Sequence, residues 1–507
     1  MTKYRDHIGI ALNNFNGLYD RGDVDDVPID HFQECENIRF LGDGAFKTRD
    51  GVGISQSVAV PLSNVKRIYN YPTNSANTLL VLTYIAGVGR IYHVVSAAST
   101  LGPILTITGM SDFAFIPYAG RAYLSPFSTF VVGDLNVEKG LQNEFLYVYA
   151  GDGTAARRAA GTAMTGNMTI ANGAAGHTDP GIHVFGFVKE TISGYLSAPG
   201  QLEEFTTAAA SSVSFGAVQA GGSPLVVRRH LVATKVITPP FNGDLTAHQL
   251  FFVPNATIEN DTDTFLNNIS FYDADLIDDA SYLLDNYAEI PAGAVLSLYR
   301  NRLCLGTTYT DISDILVSES GEPEAINQIE GILSVPPDGN PITNAQDLRD
   351  TLYVTKRSRT VSFVDTGDVP STWPMVIVDN ALGSSVHGIA TVLDSGSNSV
   401  DYLIICTYQG ISLFNGTYRD PELSWKIENY WKQLDRDLFG KIQIVNAVIQ
   451  KEIYCVLPTG NVLCGNYANG MDPKKIRWVP WIYNVNVNSI AIHNIDEIVL
   501  GADTANL

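Results

Sequence analysis

The side chains that could carry chemistry are present, but they form no familiar catalytic or metal-binding pattern. The nine histidines are scattered, and no two have the spacing of metal ligands. No Gly-rich phosphate loop, HExxH helix or GxSxG elbow occurs. Asp20–Asp30 lacks the spacing of a calcium loop, and Val364–Trp373 has the residue types of a sialidase Asp-box at the wrong spacing. We therefore predict no catalytic, cofactor or metal site, and a protein that is not an enzyme.

The charge balance argues against tight binding of nucleic acid. The chain has 507 residues, with 32 Lys and Arg against 53 Asp and Glu, for a net charge of −21. A phosphate-binding surface needs a basic footprint, which this composition does not supply. Charged residues make up only 17% and hydrophobic residues 45%, so the chain can bury a large core and is not disordered.

Cysteine usage and hydropathy indicate a compartment without disulfides and a chain that does not span a membrane. The five cysteines are odd in number, show no CxxC spacing, and three of them stand in apolar runs. We predict buried free thiols in a reducing cytosol for Cys35, Cys304, Cys406, Cys455 and Cys464. No signal peptide is recognisable, and no stretch approaches the ~18 apolar residues of a membrane span.

Short apolar runs rich in Val, Ile, Tyr and Phe recur along the chain and are separated by Gly, Asn, Asp and Pro. Three hairpins, Leu352–Val364, Leu403–Asn415 and Ile453–Gly465, begin 51 and 50 residues apart. A period near 50 is typical of the four-stranded blades of a β-propeller, which must stack to bury both faces. The sequence thus predicts an all-β protein, a β-propeller of six or seven blades, with a set of sandwiches as the rival fold. The candidate blades are 65–100, 112–160, 294–320, 350–368, 386–418, 440–468 and 485–507.

The blade pattern breaks in the middle of the chain. About seven short strands in 181–289 predict an inserted immunoglobulin-like or fibronectin-like β-sandwich. The expected domains are 1–180 (N-terminal segment and first blades), the insert 181–289, and 290–507 (the remaining blades and closing strand). Gly151–Asp179, rich in Ala, Gly and Thr, is interpreted as an exposed linker or flexible loop. Short helical pieces are expected near Ile29–Asn37 and Asn344–Arg349.

The segment Phe15–Val52 resembles the opening of propeller proteins from bacteriophage tails, in which a Gly-Leu stretch, an acidic stretch, a Pro, an E-x-x-N-like element and an R-x-G turn follow one another. The Glu three residues before Asn37 is Glu34, whereas Glu36 is adjacent to it. The insert resembles the fibronectin-like domain of those proteins at Tyr195–Pro199, Val226–Arg229 and Ser270–Asp275. The residues that carry the opening motif are Gly17, Leu18, Pro28, Glu36, Asn37, Phe40, Gly44, Arg49 and Gly51.

The implied family is the tail nozzle, or hub, protein of short-tailed bacteriophages. The resemblance implies a structural virion protein, made in the host cytoplasm, that forms a ring of usually six copies at the distal end of the tail. It implies contacts with the tail adaptor protein and with fibre or tip proteins, and a channel through which DNA passes during ejection without being held tightly. We hypothesise that part of the charge of −21 faces that channel, because phosphate contacts would slow the DNA. The alternatives are a fibre-docking or receptor-binding hub and, third, a polysaccharide-active propeller enzyme.

Overall fold

The computed structural model describes residues 18–19, 31–32, 35–40, 46–49, 62–73, 76–96, 99–132, 135–393, 400–417, 419–420, 423–494 and 497–503. These residues form antiparallel β-sheets and one short helix, α1 (Glu428–Lys432), flanked by the 3-10 helices Trp425–Ile427 and Arg436–Lys441. Further 3-10 turns are Asp273–Asp275, Ser281–Asp285 and Pro370–Thr372. Motif residues Gly17, Pro28, Gly44 and Gly51, and the acidic segment Asp20–Asp30, lie outside the described residues.

Six sheets have the strand order of propeller blades, each built from strands consecutive in the sequence. They follow a short hairpin of β1 (Ile38–Phe40) and β2 (Phe46–Thr48), here called the opening hairpin. The first blade is β3 (Val65–Pro72), β4 (Asn77–Ile85), β5 (Val88–Ser96) and β6 (Ser99–Thr108). The second is β7 (Asp112–Tyr118), β8 (Arg121–Val132), β10 (Tyr147–Tyr149) and β11 (Arg157–Arg158), with β9 (Leu135–Gly140) paired to the far half of β8.

The remaining blades follow the middle of the chain. The third is β19 (Gly293–Tyr299), β20 (Arg302–Thr308), β21 (Asp314–Val317) and β22 (Ile332–Ser334). The fourth is β23 (Ile342–Leu348), β24 (Thr351–Lys356), β25 (Thr360–Phe363) and β26 (Met375–Asp379). The fifth is β27 (Ile389–Leu393), β28 (Val400–Thr407), β29 (Gly410–Phe414) and β30 (Arg419–Asp420), and the sixth is β31 (Gln443–Ala447), β32 (Glu452–Val456), β33 (Val462–Asn466) and β34 (Arg477–Trp481). A two-stranded sheet, β35 (Val487–His493) and β36 (Glu497–Ala502), takes the seventh position.

The seven sheets close into a ring around one axis. The first strand of each of them, β3, β7, β19, β23, β27, β31 and β35, lines the same central cavity or flanks it. Strand β35 also packs against β3, so the last sheet meets the first, and the two share a buried cluster that includes Val65, Ile68 and Ala491. The predicted all-β propeller is confirmed, with seven positions around the ring.

Middle strands of the blades are hydrophobic on both faces because a neighbouring blade covers each face. All five residues of β32 and all five of β33 are buried. In the second, third and fourth blades, the first and second strands are joined by two-residue turns with positive φ at both positions: Ala119–Gly120, Arg300–Asn301 and Arg349–Asp350. This geometry matches the right-handed twist of the strands that it joins.

Two further sheets lie between the second and third blades and pack face to face. One is β12 (Thr169–Ala175), β15 (Ser211–Gly216) and β18 (Leu266–Ile269), in the order β12-β15-β18. The other is β13 (Gly181–Thr191), β14 (Gly200–Thr207), β16 (Val226–Ala233) and β17 (Phe251–Ile258), in the order β14-β13-β16-β17. They share one core that contains Phe185, Phe187, Phe215 and Leu231. The immunoglobulin-like or fibronectin-like identity of this sandwich and the domain boundaries given above stay predictions.

Two local expectations were wrong. The segment interpreted as the linker Gly151–Asp179 contains strand β12, and Met164 and Met168 contribute to the sandwich core. Asn344–Arg349, expected to be helical, lies mostly in the strand β23. Both segments are rich in small or polar residues, and their structure is set by tertiary pairing rather than by their own propensity.

Candidate functional site

The described residues of the opening motif meet at the outer edge of the sixth blade. The backbone N–H of Leu18 donates to the carbonyl oxygen of Trp478 (3.1 Å), and that of Asn37 donates to Pro480 (3.0 Å), both on β34. The indole N–H of Trp481 donates back to Ile38 (2.8 Å). The start of the chain therefore covers the edge of a blade made from its end, which protects an otherwise open sheet edge.

Asn37 and Arg49 act together in this contact. Asn37 has φ of 56°, a left-handed conformation that Asn tolerates better than most residues. Its Oδ1 accepts from Arg49 Nε (3.0 Å) and from the Ile482 backbone (2.9 Å). The Arg49 guanidinium also donates to the Ile482 carbonyl (3.0 Å) and stacks on the Tyr483 ring at 4.1 Å. Glu36, by contrast, is exposed.

A buried charge cluster lies under the opening hairpin. Arg39 donates through two nitrogens to the Glu452 carboxylate (3.2 and 3.0 Å), which also accepts from Tyr454 and Asn466. Arg477 donates to Asn466 Oδ1 (2.9 Å), and its guanidinium lies 4.6 Å from the centre of the Phe40 ring. Burial works against the charge of Arg39, but hydrogen bonding and attraction to Glu452 outweigh it and raise the pKa of Arg39. The motif residues Leu18, Asn37, Phe40 and Arg49 thus have a structural role: they hold the opening hairpin on the sixth blade, and we call this contact the clasp. The motif did not identify Arg39, Glu452 and Arg477, which complete it.

The second candidate site is the cavity on the propeller axis, with a volume of about 380 Å³. Most of its wall is aliphatic, contributed by residues such as Ile116, Leu296 and Ile444. Amide and aromatic side chains interrupt this wall, among them Asn344 and Gln346 of the fourth blade.

A polar network lies at one end of this cavity, and we call it the axial network. It joins the strands β3, β7, β31 and β35 and includes His387, which precedes β27. Arg67 (3% exposed) donates to both oxygens of Asp112 (3.0 and 2.5 Å) and to Gln443 (3.0 Å). Gln443 Oε1 also accepts from Ser489 (2.8 Å), and His387 Nε2 lies 3.1 Å from the Asp112 carboxylate. The network therefore spans blades one, two, five, six and seven.

Electrostatics in the axial network fix its charge state. Burial would raise the pKa of Asp112, but Arg67 and His387 outweigh it and hold the pKa well below its usual range. Burial, aided by Arg67, lowers the pKa of His387 despite the nearby Asp112. At neutral pH, His387 is therefore a neutral imidazole beside the ionised carboxylate of Asp112, which Arg67 holds in place. This arrangement stabilises the ring and leaves Asp112 a weak base.

The same end of the axis is covered by a hairpin of the second blade. Phe127 is fully buried against Ala114, Ala294 and Val386, all from the cavity wall, and its ring centre lies 5.8 Å from that of His387. Beyond it, Ser128–Val132 of β8 and strand β9 form what we call the axial hairpin. Asn136 of this hairpin donates to the carbonyl of Asp437 (2.9 Å), in the 3-10 helix that precedes the sixth blade. Because the second and sixth blades lie on different sides of the ring, the axial hairpin crosses the axis.

The carboxyl groups nearest to an enzyme-like arrangement lie elsewhere. A cavity of about 370 Å³ between the third and fourth blades is lined by Asp314 and Trp373 among others. Burial, with a contribution from Asp311, raises the pKa of Asp314. Asp311 Oδ1, however, accepts the backbone N–H groups of Ser313 and Asp314 (2.8 and 3.1 Å), which is the geometry of an Asx turn. The pair is therefore explained by the turn, and the predicted non-enzymatic function stays a prediction.

The junction between sandwich and propeller contains a buried lysine, Lys189. Lys189 of β13 is 1% exposed, and its ammonium donates to the carbonyls of Ala160 (3.0 Å) and Thr162. Burial lowers its pKa to about 8. The Glu324 carboxylate accepts from the backbone of Ala160 (2.9 Å) on the propeller side of the same junction. Buried polar bonds of this kind hold the insert against the second and third blades.

Three sequence expectations bear on the remaining sites. All five cysteines are buried and unpaired, as predicted. Within the described part of the chain, no group of three or more His, Cys, Asp or Glu side chains could hold a metal ion. Among those residues there is also no helix long and apolar enough to cross a membrane.

Comparisons with known proteins return structures but no family. No family model matches the chain, and no curated protein does. Sqt1 from Chaetomium thermophilum aligns at a TM-score of 0.33 and 10% identity, over 88% of this chain and 94% of its own. AztD from Citrobacter koseri aligns at 0.32 and 11%, over 88% and 90%, and Hsv2 from Kluyveromyces lactis at 0.26 and 11%, over 83% and 98%. The seven sheets and the axial cavity that their first strands line establish the propeller of this chain.

Proposed function

We propose that this chain is a structural protein of a short bacteriophage tail, whose copies form the distal nozzle ring below the tail adaptor. The observation that carries the proposal is the order of its parts together with the opening motif. A motif-bearing hairpin, two blades, a sandwich and the remaining blades follow one another in the order that the resemblance implies. The clasp gives Leu18, Asn37, Phe40 and Arg49 a mechanical role, as expected in an assembly protein.

The axis of the single propeller does not serve as the DNA channel in this proposal. Phe127 and the Arg67–Asp112 pair fill one end of the axis, and the axial hairpin lies over them. B-DNA, whose major groove alone is about 12 Å wide, does not fit such an axis. The conduit must therefore lie between copies of the chain in the ring, with part of the charge of −21 on the surfaces that face it.

Immunogold electron microscopy of intact particles tests the location. An antibody against this chain should label the distal end of the short tail. Label on side fibres would favour the fibre-docking or receptor-binding hub, and particles without label would overturn the proposal in both forms. Pre-immune serum on the same particles is the control.

Assembly tests the ring itself. The purified chain, mixed with the tail adaptor protein, should give a ring of about six copies by native mass spectrometry, with an acidic inner surface in its reconstruction. A chain that stays monomeric with the adaptor contradicts the nozzle. A ring with a neutral or basic inner surface contradicts only the assignment of acidic residues to the channel.

A further inference from the structure

Two cysteines meet across a boundary between blades. Cys406 lies on β28 of the fifth blade and Cys455 on β32 of the sixth, 49 positions apart in the sequence. Their sulfur atoms are 3.8 Å apart, and both residues are fully buried in one hydrophobic cluster. A disulfide needs the sulfur atoms at about 2.05 Å, so the side chains and the two strands must bring them closer before the bond can form.

We propose that Cys406 and Cys455 are a latent disulfide site that covalently joins the fifth and sixth blades when the folded protein meets a peroxide. The pair is reduced in this structure. The proposal does not depend on the proposed function, because it concerns the isolated chain.

The reaction balances with hydrogen peroxide as the oxidant. One thiolate attacks a peroxide oxygen, forming an S–O bond and breaking the O–O bond, and the leaving hydroxide becomes water. The second thiolate then attacks that sulfenic sulfur, forming the S–S bond and breaking the S–O bond, and the departing hydroxide takes up the proton of the second thiol to give a second water. In sum, two thiols and one peroxide give one disulfide and two waters; the thiols lose two electrons and the peroxide gains them.

The surroundings make this reaction selective and slow. Burial, together with the neighbouring Cys455, raises the pKa of Cys406, so little thiolate is present at neutral pH. The small, neutral peroxide must reach the pair through local fluctuations of the blades. Once a sulfenic acid forms, however, the partner sulfur is already adjacent, which favours the disulfide over further oxidation.

The other cysteines of the described residues are placed differently, and Cys464 is a matched control. Strand register pairs Cys455 with Leu463 and Tyr454 with Cys464, so Cys464 lies in the same blade but on the opposite face of its sheet. Cys464 is also buried, at 4% exposure. Cys455 and Cys464 thus lie in the same blade and are both buried, but of the two it is Cys455 that lies beside Cys406.

Thiol mapping of the full chain tests the proposal. The folded protein is incubated with millimolar hydrogen peroxide for hours at 37 °C, then unfolded in N-ethylmaleimide and analysed by intact and peptide mass spectrometry. We expect alkylated cysteines to fall from five to three, a cross-linked Cys406–Cys455 peptide, and full reversal by dithiothreitol. The C464S variant should form the same cross-link, and C406S and C455A should each form none.

Other outcomes overturn the proposal. These are five alkylated thiols after the treatment, a cross-link that involves Cys464, or sulfinic acid at Cys406 or Cys455 without a cross-link. The wild-type map needs no variant, so a C406S protein that fails to fold does not weaken the test. We further expect the disulfide to raise Tm by roughly 5 °C, because it closes a loop of about 50 residues in the unfolded chain. A lowered Tm would show that the native blades do not accommodate the bond.

Discussion

Two hairpins of this protein lie outside the regular blades, and they are held in place by different forces. The opening hairpin covers the rim of the sixth blade through a partly buried ion pair, Arg39–Glu452, and through hydrogen bonds of Asn37 and Ile38 with β34. The axial hairpin is anchored at its root by the buried ring of Phe127 and along β9 by Val137, which is 1% exposed. Its one buried carboxyl, Glu138, has no ion-pair partner within 4 Å among the described residues.

The comparison predicts which kind of contact contributes more to the free energy of unfolding. Burial of an aromatic ring is favourable in itself. The attraction within a buried ion pair, by contrast, largely offsets the cost of removing its charges from water. The axial hairpin should therefore contribute most to stability, and the opening hairpin should contribute mainly to the register of its edge. The following variants test this contrast.

Phe127→Ala should have the largest effect. It empties a site enclosed by Ala114, Ala294 and Val386, small or branched side chains that cannot collapse far into the space. We expect the free energy of unfolding to fall by about 3–5 kcal/mol in urea titrations. Val131→Ala, at the 76% exposed tip of the same hairpin, should change it by less than about 0.5 kcal/mol. A Phe127→Ala loss below 1 kcal/mol would mean that the ring does not anchor the hairpin.

Glu452→Ala should come next. It leaves Arg39 without its carboxylate and removes an acceptor from Tyr454 and Asn466. Because the Arg39 side chain is 23% exposed and water can take over part of the bonding, we expect a loss of about 2 kcal/mol. Trypsin should also cleave faster after Lys47 and Arg49.

The double variant Arg39→Met/Glu452→Met is the control for the ion pair. If the attraction between Arg39 and Glu452 mainly offsets the cost of removing their charges from water, two apolar side chains of similar length should restore most of the lost stability. A double variant as unstable as Glu452→Ala would show instead that the pair contributes net stability to the clasp.

The blades could be predicted from the sequence because each repeats the same local signals. Apolar runs and turn residues recur at a nearly constant spacing, and the strands they predict lie within the seven sheets of the ring. The strand β23 was missed because Asn344 and Gln346 look polar and helical, yet they line the axial cavity. Strand β12 was missed because its residues are small and mostly exposed.

The two sites could be predicted only in part. The opening motif drew attention to Asn37, Phe40 and Arg49, but not to their partners at the other end of the chain. In the axial network, Arg67 and Gln443 are 376 positions apart and share no local pattern. Such contacts arise from closure of the ring, and a single sequence carries no periodic signal for them.

Arg49→Lys probes the weaker part of the clasp. Lysine keeps the charge but has a single ammonium in place of the two nitrogens that reach Asn37 Oδ1 and the Ile482 carbonyl, and it stacks less well on Tyr483. We expect a loss of about 0.5–1 kcal/mol, with trypsin cleavage increased near the opening hairpin only. Lys47→Arg, at an exposed position two residues earlier, is the matched control and should be neutral. An Arg49→Lys variant as stable as the wild type would show that Arg49 acts only as a surface charge.

Glu138→Gln should have the smallest effect on stability. The effect should depend on pH, which distinguishes the axial hairpin from the opening hairpin. Burial raises the pKa of Glu138, while Arg357 lowers it in part and Asp112 raises it further. A carboxyl with a raised pKa binds its proton more tightly in the folded state, so wild-type stability is favoured at acidic pH and falls as pH rises from the ordinary Glu pKa through the raised one. Gln keeps the shape without the charge, so the variant should lack this decline and gain on the wild type toward pH 8. Urea titrations from pH 4 to 8 measure the difference, and a difference that does not change with pH would mean that the axial hairpin is indifferent to ionisation of Glu138.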